Sequence, residues 1–282
     1  MSDYYCTPKE ITQSTLEIGL VKSSLSTSKM LFLGMLAGAY IAFAAEGSTM
    51  AMHDITSVGF GRFIAGIIFS TGLMLVVIAG GELFTGNVLI WIGVLQKKVS
   101  INTMLRNWFW VYIGNFVGSI LLAYMMYASN LWMYNNGLHG AYVLKLALGK
   151  ANLTFYEAFI RGIMCNWLVC LAVWMAYAAK DITGKVWGIF FPIMLFVTSA
   201  FEHSVANMYY LTAGLMAKTV PEFVEASHLG AKLDTLNIQS MMINLAAVTL
   251  GNIVGGALFV GSYYWFCYMR NSETPCTTTT TE

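Results

Sequence analysis

Residues 62–95 and 186–216 are each apolar for longer than one bilayer crossing needs, and each is broken near its middle by a carboxylate. The first contains "GGELFTGN" (80–87) and the second "AFEHSVAN" (200–207), so Glu82 and Asn87 stand at the same separation as Glu202 and Asn207. A charged side chain at membrane depth is unfavourable by about 3 kcal/mol or more. Unwound backbone in hydrocarbon is also unfavourable, because its amide and carbonyl groups go unpaired unless protein or a wet cavity surrounds them. A fold that keeps both features must therefore bury them together. Only 10% of the residues are charged and 57% are hydrophobic, whereas a soluble domain carries about a quarter charged residues; the chain is a membrane protein.

At about 20 apolar residues per crossing, six spans are expected, at 30–47, 62–95, 107–129, 157–179, 186–216 and 240–267. They form one domain over 30–268. Ahead of it lies an N-terminal segment, 1–29, in which residues 8–28 set Ile11, Leu16, Ile18 and Leu20 among polar residues, as an interfacial amphipathic helix does. The tail 269–282 has no apolar periodicity and is expected to be disordered. The opening MSDYYCTPKEIT has no short apolar core of the cleaved-signal kind, so the first span is expected to direct insertion. Placing both termini in the cytoplasm puts nine of the 15 Lys and Arg residues inside, the arrangement the positive-inside rule favours. The expected location is the plasma or inner membrane, with lipid as a partner. A net charge of +1 with no basic block speaks against nucleic acid, and five cysteines without a C-x-x-C pair are expected to be reduced packing residues.

The two broken spans belong to a longer repeat. "NWFWVYIGNFVGS" (107–119) lines up with "NLAAVTLGNIVGG" (244–256), pairing Asn107 with Asn244 and Asn115 with Asn252. Glu82 and Glu202 are 120 positions apart and the asparagine matches 137, so seventeen extra residues must fall between them, where polar 218–236 lies. Three spans repeat as three, and an odd number of crossings between copies inverts the second, placing a site near the midplane at the repeat interface. The fold class is all-α, with inverted three-helix repeats whose second and fifth helices are broken. Gly80, Gly81 and Gly86 are expected to supply the backbone freedom of the first break. Glu82, Asn87, Glu202 and Asn207 are read as braces, the carboxylates accepting from freed N–H groups and the asparagines bridging to a neighbouring helix. His203 and Thr85 have no repeat counterparts, since Leu83-Phe84-Thr85 faces His203-Ser204-Val205, and that asymmetry points to function. His53, His139 and His228 are assigned to loops with no special role. The spacings Gly34-x-x-x-Gly38, Gly114-x-x-x-Gly118 and Gly251-x-x-x-Gly255 suit close helix approach.

At "GGELFTGN", "CNWLVCLAVW" (165–174), "FEHSVANMYY" (201–210) and "GNIVGGALFVGSYYW" (251–265) the chain resembles the formate/nitrite transporter family, in order and over nearly its whole length. That resemblance implies a homopentamer of aquaporin-like protomers, each with its own pore for small monovalent weak-acid anions such as formate, nitrite, hydrosulfide, acetate and lactate. It places the family's central histidine on His203 and the threonine of the first break on Thr85. Apolar constrictions fall on Leu73, Leu83 and Val169 towards the cytoplasm, and on Phe69 and Phe196 towards the outside. The outer-vestibule lysine falls on Lys150 and a pore-side asparagine on Asn166. Formate is the first choice of solute, with hydrosulfide and nitrite as alternatives.

An ion stripped of water in an apolar constriction is heavily penalised, whereas its neutral acid is not. The expected mechanism is attraction of the anion by Lys150 and half-helix ends, proton uptake near His203, and passage as the uncharged acid, with Thr85 donating to and steering the imidazole. The rival is an anion channel in which His203 is cationic or merely polar. A neutral-solute pore of the aquaporin kind is disfavoured because neither break carries N-P-A. An enzyme or haem protein would need ligand pairs facing across helices, and only His203 lies deep, so no metal, cofactor or catalytic residue is expected.

Overall fold

The computed structural model describes residues 5–270, and all named elements among them are helical. A short helix α1 (Pro8–Ser23) precedes α2 (Thr27–Met52) and α3 (Val58–Met74), which continues as a π-helical turn, Leu75–Gly80. After the first break come α4 (Phe84–Asn87), a 3-10 turn (Val88–Ile90) and α5 (Trp91–Leu95), then α6 (Ile101–Ala128). The second half runs α7 (Leu138–Ala151), α8 (Phe155–Ala178), α9 (Ile182–Thr198), the second break, α10 (Ser204–Ala217), α11 (Pro221–Ser227) and α12 (Ile238–Gly256). A second π turn, Ala257–Ser262, carries α12 into α13 (Tyr263–Tyr268). Five of these helices are long and apolar enough to cross a membrane, joined by two shorter apolar ones, Phe84–Leu95 and Ile182–Thr198. The seventeen extra residues are accounted for by α11 and a 3-10 turn, Gly230–Thr235. The tail expected to be disordered lies, from residue 271, outside the described residues.

Helix starts are written locally. Ser26, Ser100, Thr154, Asp181 and Asn237 accept from N–H groups in the first turns of α2, α6, α8, α9 and α12, supplying acceptors that a helix start otherwise lacks.

The two halves are then built by the same contact, used twice. α2 crosses α6 and α8 crosses α12 at glycines. A Cβ on Gly118 would lie 2.0 Å from the Met35 carbonyl oxygen, and one on Gly255 would lie 2.3 Å from that of Ile163. Likewise Gly114 closes on Leu31 and Gly251 on Phe159, at 2.7 and 2.2 Å. Because lipid tails are as apolar as leucine, close backbone approach rather than hydrophobic expulsion is what associates such helices. The expected small-residue motifs thus serve two equivalent crossings. Gly251→Val should lower stability by about 2–3 kcal/mol through overpacking, read as a fall in thermal midpoint in detergent. Gly59→Ala, whose Cβ meets nothing within 4 Å, should leave the midpoint unchanged or slightly raised.

Candidate functional site

Each break is a few extended residues between helix ends, and the residue just before the following helix has nearly the same dihedrals in both. Leu83 (φ −104, ψ 123) precedes α4 and His203 (φ −108, ψ 119) precedes α10. The turn out of the preceding helix differs. Gly80 takes φ +99 after the π turn, while the second break uses Ala200 at φ +58. Of the three glycines expected to supply freedom, only Gly80 uses it: Gly81 is extended (φ −170) and Gly86 is helical. Gly81 is instead needed for space, since a Cβ there would meet that of Ala37 at 3.1 Å.

The freed backbone groups are satisfied by two asparagines and by two backbone carbonyls, Glu82 N–H donating to Leu33 and Glu202 N–H to Arg161. Asn115 Oδ1 accepts from Phe84 N–H at 2.9 Å, and its amide donates to the carbonyls of Gly34 and Glu82. Asn252 does the same for Ser204 N–H and the carbonyls of Gly162 and Glu202. This corrects the expected division of labour, because Glu82 and Glu202 do not accept from the freed N–H groups. Their carboxylates are held by a lysine and an asparagine instead: Lys22 Nζ (2.8 Å) and Asn87 Nδ2 (2.6 Å) on Glu82, Lys150 Nζ (3.0 Å) and Asn207 Nδ2 (2.6 Å) on Glu202. The asparagines do bridge onward, Asn87 to Asn107 and Asn207 to Asn244, and these in turn donate to the carbonyls of Lys22 and Lys150.

Sequence reasoning passed over Lys22, assigning its helix to the membrane surface, although a signal was present. Lys22 stands twelve residues before Gly34, as Lys150 does before Gly162. α1 and α7 are thus equivalent elements, each delivering a lysine to a break. His139, expected in a loop, lies on α7, is fully buried, and stands 3.2 Å from the Glu46 carboxylate. Trp108 is buried and donates to the Asn87 carbonyl.

Where the repeats differ, they meet. Thr85 Oγ1 and His203 Nε2 are 2.9 Å apart, joining one break to the other. His203 also caps α10, its Nδ1 accepting from Ala206 N–H at 3.1 Å. An accepting Nδ1 carries no proton, so the neutral ring bears it on Nε2 and donates to Thr85, the reverse of the expected direction. Asn166 lies beside the pair, donating to the carbonyls of Thr85 and Asn252.

Two cavities approach this point. One, of about 290 Å³, is lined by Lys150, Glu202, Asn207, Phe69, Phe196 and His203. The other, of about 280 Å³, is lined by Lys22, Glu82, Asn87, Leu73, Leu83 and Tyr177. Phe69 and Leu73 sit one turn apart on α3, about 6 Å, and line different cavities. Phe69 packs edge to face on Phe196 at 5.7 Å. All four apolar residues are at most 3% exposed. Val169 and Asn166 are buried but line neither cavity.

Both carboxylates are mostly buried, so their lysines should matter through charge balance. Lys22→Met is expected to cost about 2 kcal/mol or more by leaving Glu82 uncompensated. The double change Lys22→Met/Glu82→Gln should recover a substantial part, as a thermal-unfolding cycle in detergent would show.

A sequence model described as Formate/nitrite transporter matches residues 9–266. A probable formate transporter of Methanothermobacter thermautotrophicus is 37% identical, over 96% of this chain and 100% of that protein. The formate channel FocA of Escherichia coli (strain K12) is 35% identical, over 94% and 95%. A solved pentameric formate channel with formate bound is 39% identical, covering 86% of this chain and 98% of that one, with a TM-score of 0.80. With residues 9–266 matching the family model and nearly the whole chain aligned with its relatives, the chain belongs to the formate/nitrite transporter family and is a multi-pass membrane protein.

Proposed function

We propose that the chain forms a pentameric channel in which each protomer conducts small weak-acid anions, formate first, and that the solute crosses the apolar stretch as its neutral acid. Both termini face the cytoplasm in this reading, so the Lys150 cavity opens outwards. The relatives' names support formate, and the likeness to a pentameric channel supports the assembly. Nitrite and hydrosulfide are the alternatives within the same site.

The observation that carries the reading is the His203–Thr85 contact, buried where a cavity from each side ends against apolar side chains. Phe69, Phe196, Leu73 and Leu83 offer a carboxylate no hydrogen bond, and a desolvated charge there is heavily penalised. Beside them stand the Nε2 proton and the Thr85 hydroxyl hydrogen. A proton arriving at His203 Nδ1 displaces the Ala206 N–H bond, which costs about 1 kcal/mol. The Nε2 proton then passes to Thr85 Oγ1 and the Thr85 hydroxyl proton passes to the carboxylate, leaving a neutral acid and a neutral ring. Return to the Nε2–H tautomer restores the helix cap. Asn166, which holds the Thr85 carbonyl, acts here as a positioning residue.

Current and proton flux measured together in proteoliposomes test this. Uptake should rise as external pH falls, with one proton entering per formate and no net current; charge moving without protons, and persisting at high pH, would reject the relay. His203→Asn keeps a good helix cap, so assembly should survive while the dependence on pH flattens. An unchanged pH profile in that variant would count against the histidine.

A further inference from the structure

The two cavities are matched in their lysine–glutamate pairs but not in the rest of their charge. On the inner side Lys22 faces Glu82 at 2.8 Å, and no other charged residue lines the cavity. On the outer side Lys150 is likewise paired with Glu202 at 3.0 Å. Its charge is compensated there, so attraction of an anion by Lys150 alone is weak. Arg62, Lys145 and Arg161 also line the outer cavity. None of the three forms a salt bridge among the described residues. The acidic side chain that acts on Arg161, Glu157, is exposed and bonded by Thr154 at the start of α8. The outer cavity therefore carries four cations and one carboxylate, against one of each inside.

We infer that Arg62, Lys145 and Arg161 form a capture site for the charged solute at the outer mouth, without an inner counterpart, so that transport half-saturates at a lower concentration from outside. This rests on the channel reading above. Three cationic side chains outside any salt bridge, lining one low-dielectric mouth, raise the local anion concentration by roughly three- to tenfold at moderate salt. The guanidinium forks of Arg62 and Arg161 suit an anion with two oxygens on one centre, a carboxylate or nitrite, better than a spherical one. A fixed charge cannot drive a passive flux. With equal pH on both sides and no membrane potential, detailed balance keeps the ratio of maximal rate to half-saturating concentration the same in both directions. Tighter capture outside must therefore come with a lower maximal rate from that side.

Initial rates of labelled formate entry into right-side-out and inverted membrane vesicles, at equal pH and zero potential, test the inference. The wild-type half-saturating concentration should be about three- to tenfold lower in right-side-out vesicles, and the difference should shrink at raised ionic strength. In Arg62→Gln/Lys145→Gln/Arg161→Gln, whose assembly is checked by its elution as an oligomer, the two sides should agree. Arg62→Lys/Arg161→Lys should retain the difference but weaken it more for formate and nitrite than for hydrosulfide. Equal half-saturation on the two faces of the wild type, or a difference that survives the triple substitution, overturns the capture site. Absence of formate flux in either vesicle type is a separate result and overturns the channel reading.

Discussion

Everything else in the structure depends on satisfying the backbone where two helices are interrupted at membrane depth. An unpaired N–H or C=O there costs several kcal/mol, and Asn115 and Asn252 remove that cost with one side chain each. Each carries an acceptor for the helix start beyond the break and two donors, one for a carbonyl in the break and one for a carbonyl of the neighbouring helix α2 or α8. An amide is suited to this because a hydroxyl or carboxylate lacks the second donor. Once the backbone is held, Glu82 and Glu202 are free to organise lysines rather than peptide groups.

Symmetry supplies the frame and asymmetry supplies the chemistry. The two halves repeat the glycine crossings, the asparagine braces and, in composition though not in every bond, the lysine–glutamate–asparagine clusters. Three differences are laid over that frame. His203 stands where Leu83 stands, which places one titratable ring against Thr85. The first break is entered through a π turn and the second is not, a local widening of the kind often found at functional sites. The cavity lined by Lys150 has further cations that the one lined by Lys22 lacks.

Much of this was legible in the residues. The doubled Glu-x4-Asn spacing located both breaks, and the paired G-N-x-V-G segments located the helix crossings. The lack of a repeat partner marked out His203 and Thr85. Other parts were not legible, for physical reasons that can be named. Asn115 and Asn252 align in the repeat, but nothing local distinguishes a brace from a polar residue on a packed helix, since the groups they satisfy are about 30 to 90 positions away. His139 was assigned to a loop because α7 lies outside the six expected spans, and the groups it meets, Glu46 and His53, are more than 80 positions away.

The sequence by itself determined that the chain lives in a membrane, that two of its spans are broken, that its halves repeat, and which family it resembles. The first three follow from composition and spacing and the resemblance from its four motifs, none of which tertiary packing alters. Only the tertiary structure decided that Lys22 belongs to a buried cluster and not to a surface helix, and that the imidazole donates to Thr85 instead of accepting from it. It also decided that Lys150 is neutralised while Arg62, Lys145 and Arg161 share its cavity. Each of these is a matter of which groups distant in sequence the packing brings together, within about 3 Å for the hydrogen bonds and around one cavity for the cations.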